Sequence, residues 1–67
     1  MSVAKVTEIT ASSPKSFANA IRKSIKRAGR TLKNVRSAWI KNQKVIIEKG
    51  KIAKYRVTMN FSSVGKD

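Results

Sequence analysis

The side chains that most often perform chemistry are scarce in this sequence. Its 67 residues include no histidine and no cysteine, and the only side-chain carboxylates belong to Glu8, Glu48 and Asp67. Without an imidazole or a thiolate, neither a serine–histidine pair nor a zinc site of the usual ligands is available. The three glycines are dispersed and form no phosphate-binding loop. We therefore predict a binding protein rather than an enzyme, and no metal site built by one chain.

Positive charge dominates the composition. Sixteen lysines and arginines against three acids give a formal charge of +13 and a pI near 11.2. Such a field attracts polyanions, phosphorylated ligands or anionic lipid surfaces, and it also keeps a small protein soluble. Within residues 13–33 the cations flank the apolar residues on several sides, which is more typical of a solvent-exposed face than of an edge that reads a nucleic-acid groove. An anionic small molecule is favoured over nucleic acid as the partner.

The longest helical periodicity lies in residues 13–33. Apolar residues recur there every three or four positions, which places them on one face of an α-helix. They are Phe17, Ile21, Ile25, Ala28 and Leu32. Ser13 is predicted to cap the helix and Pro14 to occupy its first position, while Asn34 is predicted to end it in a left-handed conformation. The apolar face is predicted to form the core.

Two segments around the helix have strand patterns. Residues 3–10 are rich in β-branched side chains interrupted by polar ones, which favours a half-buried strand. Residues 11–13 are predicted to form a short turn into the helix. After the helix, residues 35–48 are predicted as a second, longer strand, with a bend or bulge expected at 42–43.

A hairpin is predicted to follow the second strand. Lys49 and Gly50 form a tight turn in which the glycine supplies the positive φ, and residues 51–61 return as a third, antiparallel strand. Its apolar residues alternate with polar ones and are expected to meet the helix. They are Ala53, Tyr55, Val57, Met59 and Phe61. Residues 60–65 are polar and contain a glycine, so we predict that the end of this strand frays.

Both faces of the second strand carry apolar side chains. By simple alternation Trp39 and Gln43 lie on one face, while Ala38 and Ile40 lie on the other. One helix covers only one face of a sheet, so the far side is predicted to meet another subunit. We therefore predict a single α+β domain, residues 1–67, that forms a homo-oligomer.

The length of the chain supports the same conclusion. A domain of this size buries only about 60% of its unfolded surface, and no cysteine is present to cross-link it. Oligomerisation is the remaining stabiliser. No charged-then-apolar export signal and no apolar run of membrane-spanning length is found, which predicts a soluble, cytoplasmic protein that does not contact the membrane.

Several segments resemble the dodecin family of small flavin-binding proteins. They are SSPKSF at the start of the helix, then AIRKSIKRAGRTLKNVRSAWIKNQ, and KVIIEKGKIAKYRV around the hairpin. The similarity covers residues 3–59, with the motifs in the order and spacing of the family. It implies a three-stranded antiparallel sheet wrapped around one helix, and a hollow homododecamer. It also implies FMN or riboflavin as the cofactor, and flavin storage or buffering as the function.

The resemblance further implies which residues contact a flavin. In the family, a tryptophan early in the second strand stacks on the isoalloxazine ring, and a glutamine on the third strand hydrogen-bonds its edge. These positions are Ser37 and Arg56 in this sequence. Trp39 lies two residues beyond Ser37, about 6–7 Å further along the strand. We therefore expect Trp39 to stack on the ring from a displaced position, with Ser37, Arg56 and Gln43 as the other residues of an intersubunit site.

Ser37 and Arg56 also allow a second interpretation. A branch of the family that binds calcium tends to lack the stacking tryptophan, although three carboxylates offer few ligands unless symmetry brings copies together. A non-flavin shell would instead use its basic surface to bind phosphorylated metabolites such as coenzyme A, metal ions or other anions. Trp39 would then fill a subunit contact. Both interpretations stay open from the sequence.

Overall fold

The computed structural model describes residues 3–65, with side chains from Lys5 to Val64. The elements follow in the order β1 (Val3–Ser13), α1 (Phe17–Thr31), β2 (Val35–Glu48) and β3 (Lys51–Gly65). The three strands form one antiparallel sheet in the order β1-β3-β2, so β3 is the central strand and the other two are edges. This confirms the predicted strand–helix–strand–strand order and the α+β class.

The first strand is longer than predicted. Residues 11–13, predicted as a turn, continue the strand: Ala11 pairs with Val57, and Ser13 pairs with Tyr55. Both Ala11 and Ser13 are buried. The central strand extends far enough to offer ladder partners to these backbone groups, and that pairing outweighs the weak strand propensity of alanine and serine.

The helix starts later than predicted. Ser16, not Ser13, is the N-cap, and its hydroxyl accepts a hydrogen bond from the backbone N–H of Asn19 at 3.0 Å. Pro14 therefore precedes the cap instead of occupying the first helical position. Ser13 holds the approach to the helix, since its hydroxyl accepts from the Lys15 N–H at 3.0 Å and donates to Asn19 Oδ1 at 2.6 Å.

The other end of the helix agrees with the prediction. Leu32 is the C-cap, and its N–H donates to the carbonyl of Ala28 at 2.8 Å. Asn34 has a φ of 55°, the left-handed conformation predicted for it. Its backbone carbonyl accepts from the N–H of Val64 at 3.2 Å, which fixes the connection between the helix and β2 against the end of β3.

The buried face of the helix consists of small residues. Ala20, Ser24 and Ala28 are buried, which allows the helix backbone to approach the sheet closely. The hydroxyl of Ser24 donates to the carbonyl of Ala20 at 3.2 Å, so this buried polar group is satisfied. The predicted core residue Ile25 is instead 52% exposed on the flank of the helix.

The core lies between the helix and the two strands beneath it. Its buried residues are Ile9, Ala20, Ala28, Val57, Met59 and Phe61. Three partly buried residues of the predicted helical face, Phe17, Ile21 and Leu32, pack against this cluster. The ring of Phe17 also meets that of Tyr55 edge to face at 5.1 Å, so the predicted apolar face of β3 does contact the helix.

The hairpin between β2 and β3 has the predicted turn. Lys49 and Gly50 both have positive φ values, 53° and 75°, as a two-residue type I′ turn requires. β2 has the predicted bounds. Its pairing with β3 shifts register at three places, and one shift, between Ile40 and Asn42, adjoins the predicted bulge.

The end of β3 does not fray as predicted. The strand runs to Gly65, and Phe61 and Ser63 near its C-terminal end are buried. Phe61 pairs with Thr7 of β1 on one side and with Ala38 of β2 on the other. Ladders on both sides satisfy the backbone of a central strand, which explains why polar side chains do not end it.

The helix does not cover the whole sheet. It packs mainly on β1 and β3 and leaves the helix side of β2 open, where Ile40 is 42% exposed. β1 pairs with β3 only as far as Tyr55, so beyond that residue β2 and β3 continue as a two-stranded ribbon to the turn. The described residues therefore form an elongated body of 52 × 18 × 13 Å.

Candidate functional site

The sheet has one face away from the helix, which we call the outer face. Val57, Met59 and Phe61 of β3 point into the core, so the alternating residues between them point outward. Residues paired directly across an antiparallel sheet share a face, which assigns the side chains of β1 and β2 from the register. On β1 and β3 the outer face carries Glu8, Thr10, Ser12, Arg56, Thr58 and Asn60.

Trp39 and Ser37 both lie on the outer face. Trp39 pairs with Asn60, and Ser37 pairs with Ser62 of the same strand. Trp39 is 46% exposed, so part of it is open to a ligand or to another chain. The small Ser37 leaves free surface next to the ring. The geometry thus places these two predicted site residues side by side.

Gln43 does not share this face, so the predicted alternation is wrong there. The register passes from Ile40 opposite Met59 to Asn42 opposite Thr58, with Lys41 as an extra residue. This bulge shifts the alternation by one position. Gln43 therefore pairs with Val57, a core residue, and lies on the helix side of β2.

Arg56 lies on the outer face at some distance from Trp39. Its Nε donates to the hydroxyl of Ser12 at 3.1 Å, which orients the guanidinium over the sheet. Arg56 is four residues from Asn60, the partner of Trp39, and that separation is about 13 Å along a strand. Trp39 and Arg56 therefore mark two ends of one surface.

Two lysines accompany Arg56. Lys44 of β2 pairs directly with Arg56. Lys54 lies two residues before Arg56 on β3, on the same face of the sheet. We call Lys44, Lys54 and Arg56 the basic cluster. Like charges directly across a sheet are destabilising, and a bound anion relieves that repulsion.

An ion pair that sequence reasoning missed lies beside Trp39. The Nζ of Lys41 is 2.7 Å from Oε1 of Glu8, and both side chains are about half exposed, 57% and 50%. Glu8 pairs with Asn60, which also pairs with Trp39. The alternation of Glu8 with the buried Ile9 would have placed Glu8 on the outer face, but only the register brings it near Lys41 and Trp39.

Hydroxyl groups occupy the surface between the ring and the basic cluster. Thr10 Oγ1 and Thr58 Oγ1 are hydrogen-bonded to each other at 3.1 Å, and Ser12 is bonded to Arg56. Between Trp39 and Arg56 the outer face is therefore polar, with an exposed indole at one end and cations at the other. Such a surface stacks on a planar aromatic ligand and holds an anionic group.

A cavity of about 300 Å³ lies at the C-terminal end of the helix and has none of the four predicted site residues in its wall. In residues 3–65 no group of three or more histidine, cysteine, aspartate or glutamate side chains is placed to hold a metal ion. No helix in that part of the chain is long and apolar enough to cross a membrane.

Comparison with known proteins gives the same fold. The chain is similar to dodecin from Streptomyces davaonensis, with 30% identity, a TM-score of 0.89, and coverage of 98% of this chain and 97% of that one. Dodecin from Streptomyces coelicolor is 24% identical, with a TM-score of 0.90 and coverage of 98% and 94%, and it supports the fold alone.

A third similar structure is named as a calcium-binding protein. It is the calcium-chelating antigen calcium dodecin from Mycobacterium tuberculosis, 27% identical, with a TM-score of 0.79 and coverage of 90% of this chain and 86% of that one. No curated protein matches the chain. The family model for dodecin matches residues 3–63, almost the whole sequence. On this match the chain belongs to the dodecin family.

Proposed function

We propose that this chain assembles as a homododecamer that binds FMN or riboflavin and stores or buffers it in the cytoplasm. The observation that carries the proposal is the half-exposed indole of Trp39 on the uncovered outer face of the sheet. Homododecameric assembly is consistent with membership of the family. The protein acts by binding, with no chemical step on the flavin.

The apolar residues left uncovered by the single chain support assembly. Val6 and Trp39 are exposed on the outer face, while Ile40 is exposed on the helix side of β2. Ile47 and Ile52, which pair with each other near the end of the ribbon, are 62% and 50% exposed. Apolar groups distributed over both faces and the tip require several neighbouring copies to cover them.

The surroundings of Trp39 suit an isoalloxazine ring. The indole stacks on the ring, while Lys41 and Asn60 offer donors to ring carbonyls, and Glu8 accepts from a ring N–H. Because Ser37 replaces the large aromatic at the family's stacking position, the ring binds about one side-chain repeat further along β2. Gln43, on the helix side, reaches such a ring only from a neighbouring subunit.

The basic cluster predicts which flavin the protein binds more tightly. Arg56 and Lys44 lie about 13 Å from Trp39 along the strands. The ribityl phosphate of a flavin stacked on the indole extends part of this way, and the long side chains of Arg56 and Lys44 cover the rest. Arginine and lysine bind phosphate by charge-assisted hydrogen bonds. We therefore expect FMN to bind more tightly than riboflavin, and Arg56→Gln to remove that difference.

The test uses the fact that Trp39 is the single tryptophan of the sequence. Titration with FMN and with riboflavin should quench both the indole and the flavin fluorescence to saturation, since stacked rings exchange energy and electrons at contact distance. Trp39→Phe keeps a smaller aromatic ring and should retain part of the affinity, as measured by flavin quenching. A protein that leaves flavin fluorescence unchanged at every concentration contradicts the proposal.

A second function is favoured by the direct pairing of Lys44 with Arg56. A non-flavin shell would use the basic cluster to bind the phosphates of a metabolite such as coenzyme A. Calorimetry separates the two functions. Coenzyme A binding should survive Trp39→Ala and be lost in Arg56→Gln, whereas flavin binding should be lost in Trp39→Ala and FMN should bind only as weakly as riboflavin in Arg56→Gln. A calcium titration in the same instrument tests the ligand named for the mycobacterial relative.

A further inference from the structure

We propose that the outward face of α1 binds the phosphodiester backbone of nucleic acid through three cations, Arg22, Lys26 and Arg30, which we call the helix ridge. This surface is on the opposite side of the chain from the outer sheet face. The proposal does not depend on flavin binding.

The spacing of the three residues makes them a continuous row. They follow each other at intervals of four residues, which aligns side chains along one face of a helix with about 6 Å between steps. The opposite face of α1 is buried at Ala20 and Ser24, so the ridge points away from the sheet. All three ridge side chains are exposed, and the row is about 12 Å long.

The other cations of the helix have partners within the chain. The Nζ of Lys23 donates to the carbonyl of Ser12 at 3.3 Å, and a terminal nitrogen of Arg27 donates to the carbonyl of Thr10 at 3.2 Å. Both acceptors belong to the edge strand β1. Among the described residues, by contrast, no hydrogen bond or ion pair engages the side chains of the ridge. The structure therefore divides the helical cations into a set that binds β1 and a set that faces solvent.

Among the described residues, no carboxylate forms an ion pair with the ridge. The helix contains neither aspartate nor glutamate. Glu8 is held by Lys41 on the outer sheet face, on the far side of the sheet from the helix. With a formal charge of +13 on the chain, the ridge lies in a strongly positive field, which attracts polyanions over distances of the order of the Debye length.

The chemistry of the ridge favours nucleic acid over a lipid surface. A helix that lies in a membrane interface inserts large apolar side chains beside its cations. The exposed neighbours of the ridge include the small residues Ala18 and Gly29. Ile25, 52% exposed and three residues after Arg22, is the one large apolar side chain exposed on the described helix. One isoleucine is a small apolar surface for insertion into a membrane, whereas arginine and lysine in a row are typical of contacts to successive phosphates.

Repetition of the ridge in an oligomer strengthens binding. Each copy makes about three phosphate contacts, which alone gives weak, salt-sensitive, non-specific affinity. A strand long enough to reach ridges on several copies binds with much higher avidity. Affinity should therefore rise steeply with the length of the oligonucleotide.

The experiment compares two variants of the full chain that each lose three positive charges. The ridge variant is Arg22→Gln, Lys26→Gln, Arg30→Gln, since glutamine keeps a high helix propensity. The control is Lys15→Gln, Lys49→Asn, Lys51→Gln, away from the ridge; asparagine tolerates the positive φ of residue 49. Circular dichroism and light scattering verify that each variant keeps its helix and its mass.

Binding is followed by fluorescence anisotropy of labelled single-stranded DNA, duplex DNA and RNA between about 50 and 200 mM salt. We expect binding by the parent protein, and a loss of more than about tenfold in the ridge variant with a single-strand salt slope smaller by about 2, at roughly 0.7 per lost contact. The control should change far less, and FMN titration should be unaffected in both variants.

Three results overturn the proposal. The first is that the parent protein binds none of the three nucleic acids at about 50 mM salt, the end of the tested range where electrostatic binding is strongest. The second is that the two variants lose affinity equally, which would mean that net charge and not the ridge is responsible. The third is that vesicles rich in anionic lipid bind the parent protein and not the ridge variant, while the nucleic acids show no such difference. That result would identify the partner as a membrane surface.

Discussion

Lys41 Nζ lies 2.7 Å from Oε1 of Glu8 and so joins the two edge strands of the sheet across the central strand. The contact exists because the bulge in β2 turns Lys41 toward the outer face, where Glu8 projects from β1. It also forms one wall of the surface around Trp39. A local irregularity in one strand thus determines which charges surround the candidate ligand site.

Removal of this ion pair should affect stability only slightly. Both partners are about half exposed, 57% and 50%, and pairs of that kind contribute roughly 0.2–1 kcal/mol. We expect Glu8→Gln and Lys41→Met each to lower the free energy of unfolding by no more than this, with a smaller loss at high salt. Urea denaturation at two salt concentrations measures it. A loss of several kcal/mol, unaffected by salt, would show that the pair is buried in the assembly.

The variant Trp39→Ala tests whether the indole of Trp39 binds a ligand or packs in a contact between subunits. If the ring faces a flavin, the variant should keep its assembly and its melting temperature in the absence of ligand and should no longer bind FMN. If the ring is buried in a dry contact, loss of the large side chain should cost about 3–5 kcal/mol whether or not flavin is present. We expect the first result, because the indole is 46% exposed on the outer face. Light scattering and flavin titration on the same sample give both readings.

Ser37→Trp restores an aromatic at the family's stacking position. Ser37 pairs with Ser62 on the outer face, beside Trp39, so the new ring has open surface on which to lie. We expect the affinity for FMN to increase, with the assembly unchanged. The matched variant Ser62→Trp places the same ring on the central strand and should not have this effect. An intact assembly with unchanged flavin affinity would mean that the stacking position is not residue 37.

Phe61→Ala should unfold the chain. Phe61 is 1% exposed in the core and pairs with both edge strands, and removal of such a ring costs about 3–5 kcal/mol. That is comparable with the total stability of a small domain, about 0.05–0.15 kcal/mol per residue. Phe61→Leu, which retains most of the volume, should cost much less. Thermal denaturation followed by circular dichroism ranks the two variants, and equal melting temperatures would show that this core position is tolerant.

Ser16→Ala should weaken the start of the helix. The hydroxyl of Ser16 accepts from the N–H of Asn19 at 3.0 Å, and loss of an N-cap of this kind costs about 1 kcal/mol. Ser16→Asp preserves the acceptor and adds a negative charge at the positive end of the helix dipole, so it should be neutral or stabilising. Urea denaturation of both variants measures the difference. A neutral alanine variant would indicate that Ser13 takes over the cap.

The elements that sequence reasoning predicted well are those with strong local signals. The bounds of β2, the turn at Lys49 and Gly50, and the left-handed Asn34 all follow from the alternation of side chains or from the backbone preferences of single residues. The start of the helix was wrong by a few residues because Ser13 and Ser16 are both good caps. The hydrogen bonds of the Ser13 hydroxyl with Lys15 and Asn19 decide between them, and residue type alone does not reveal these bonds.

The errors in the strands have a different origin. Residues 11–13 and 60–65 have poor strand propensity, but the backbone of each finds partners across the sheet, and pairing decides their conformation. The site was only partly predictable for the same reason. Ser37, Trp39 and Arg56 lie on the outer face as alternation predicts, whereas one extra residue at Lys41 moves Gln43 to the opposite side. A bulge has little signature in a sequence, and every face assignment beyond it is inverted.

The ribbon beyond Tyr55 has a consequence for the kinetics of folding. Residues 51–54 pair with β2 alone, and the described chain has a radius of gyration of 13.8 Å, against about 11 Å for a compact globule of this length. A two-stranded ribbon is marginal in water by itself. The part under the helix should therefore form first, in a step whose rate does not depend on protein concentration. The ribbon should become ordered in a slower, concentration-dependent step as copies meet, so the last stage of folding and the first stage of assembly are one event.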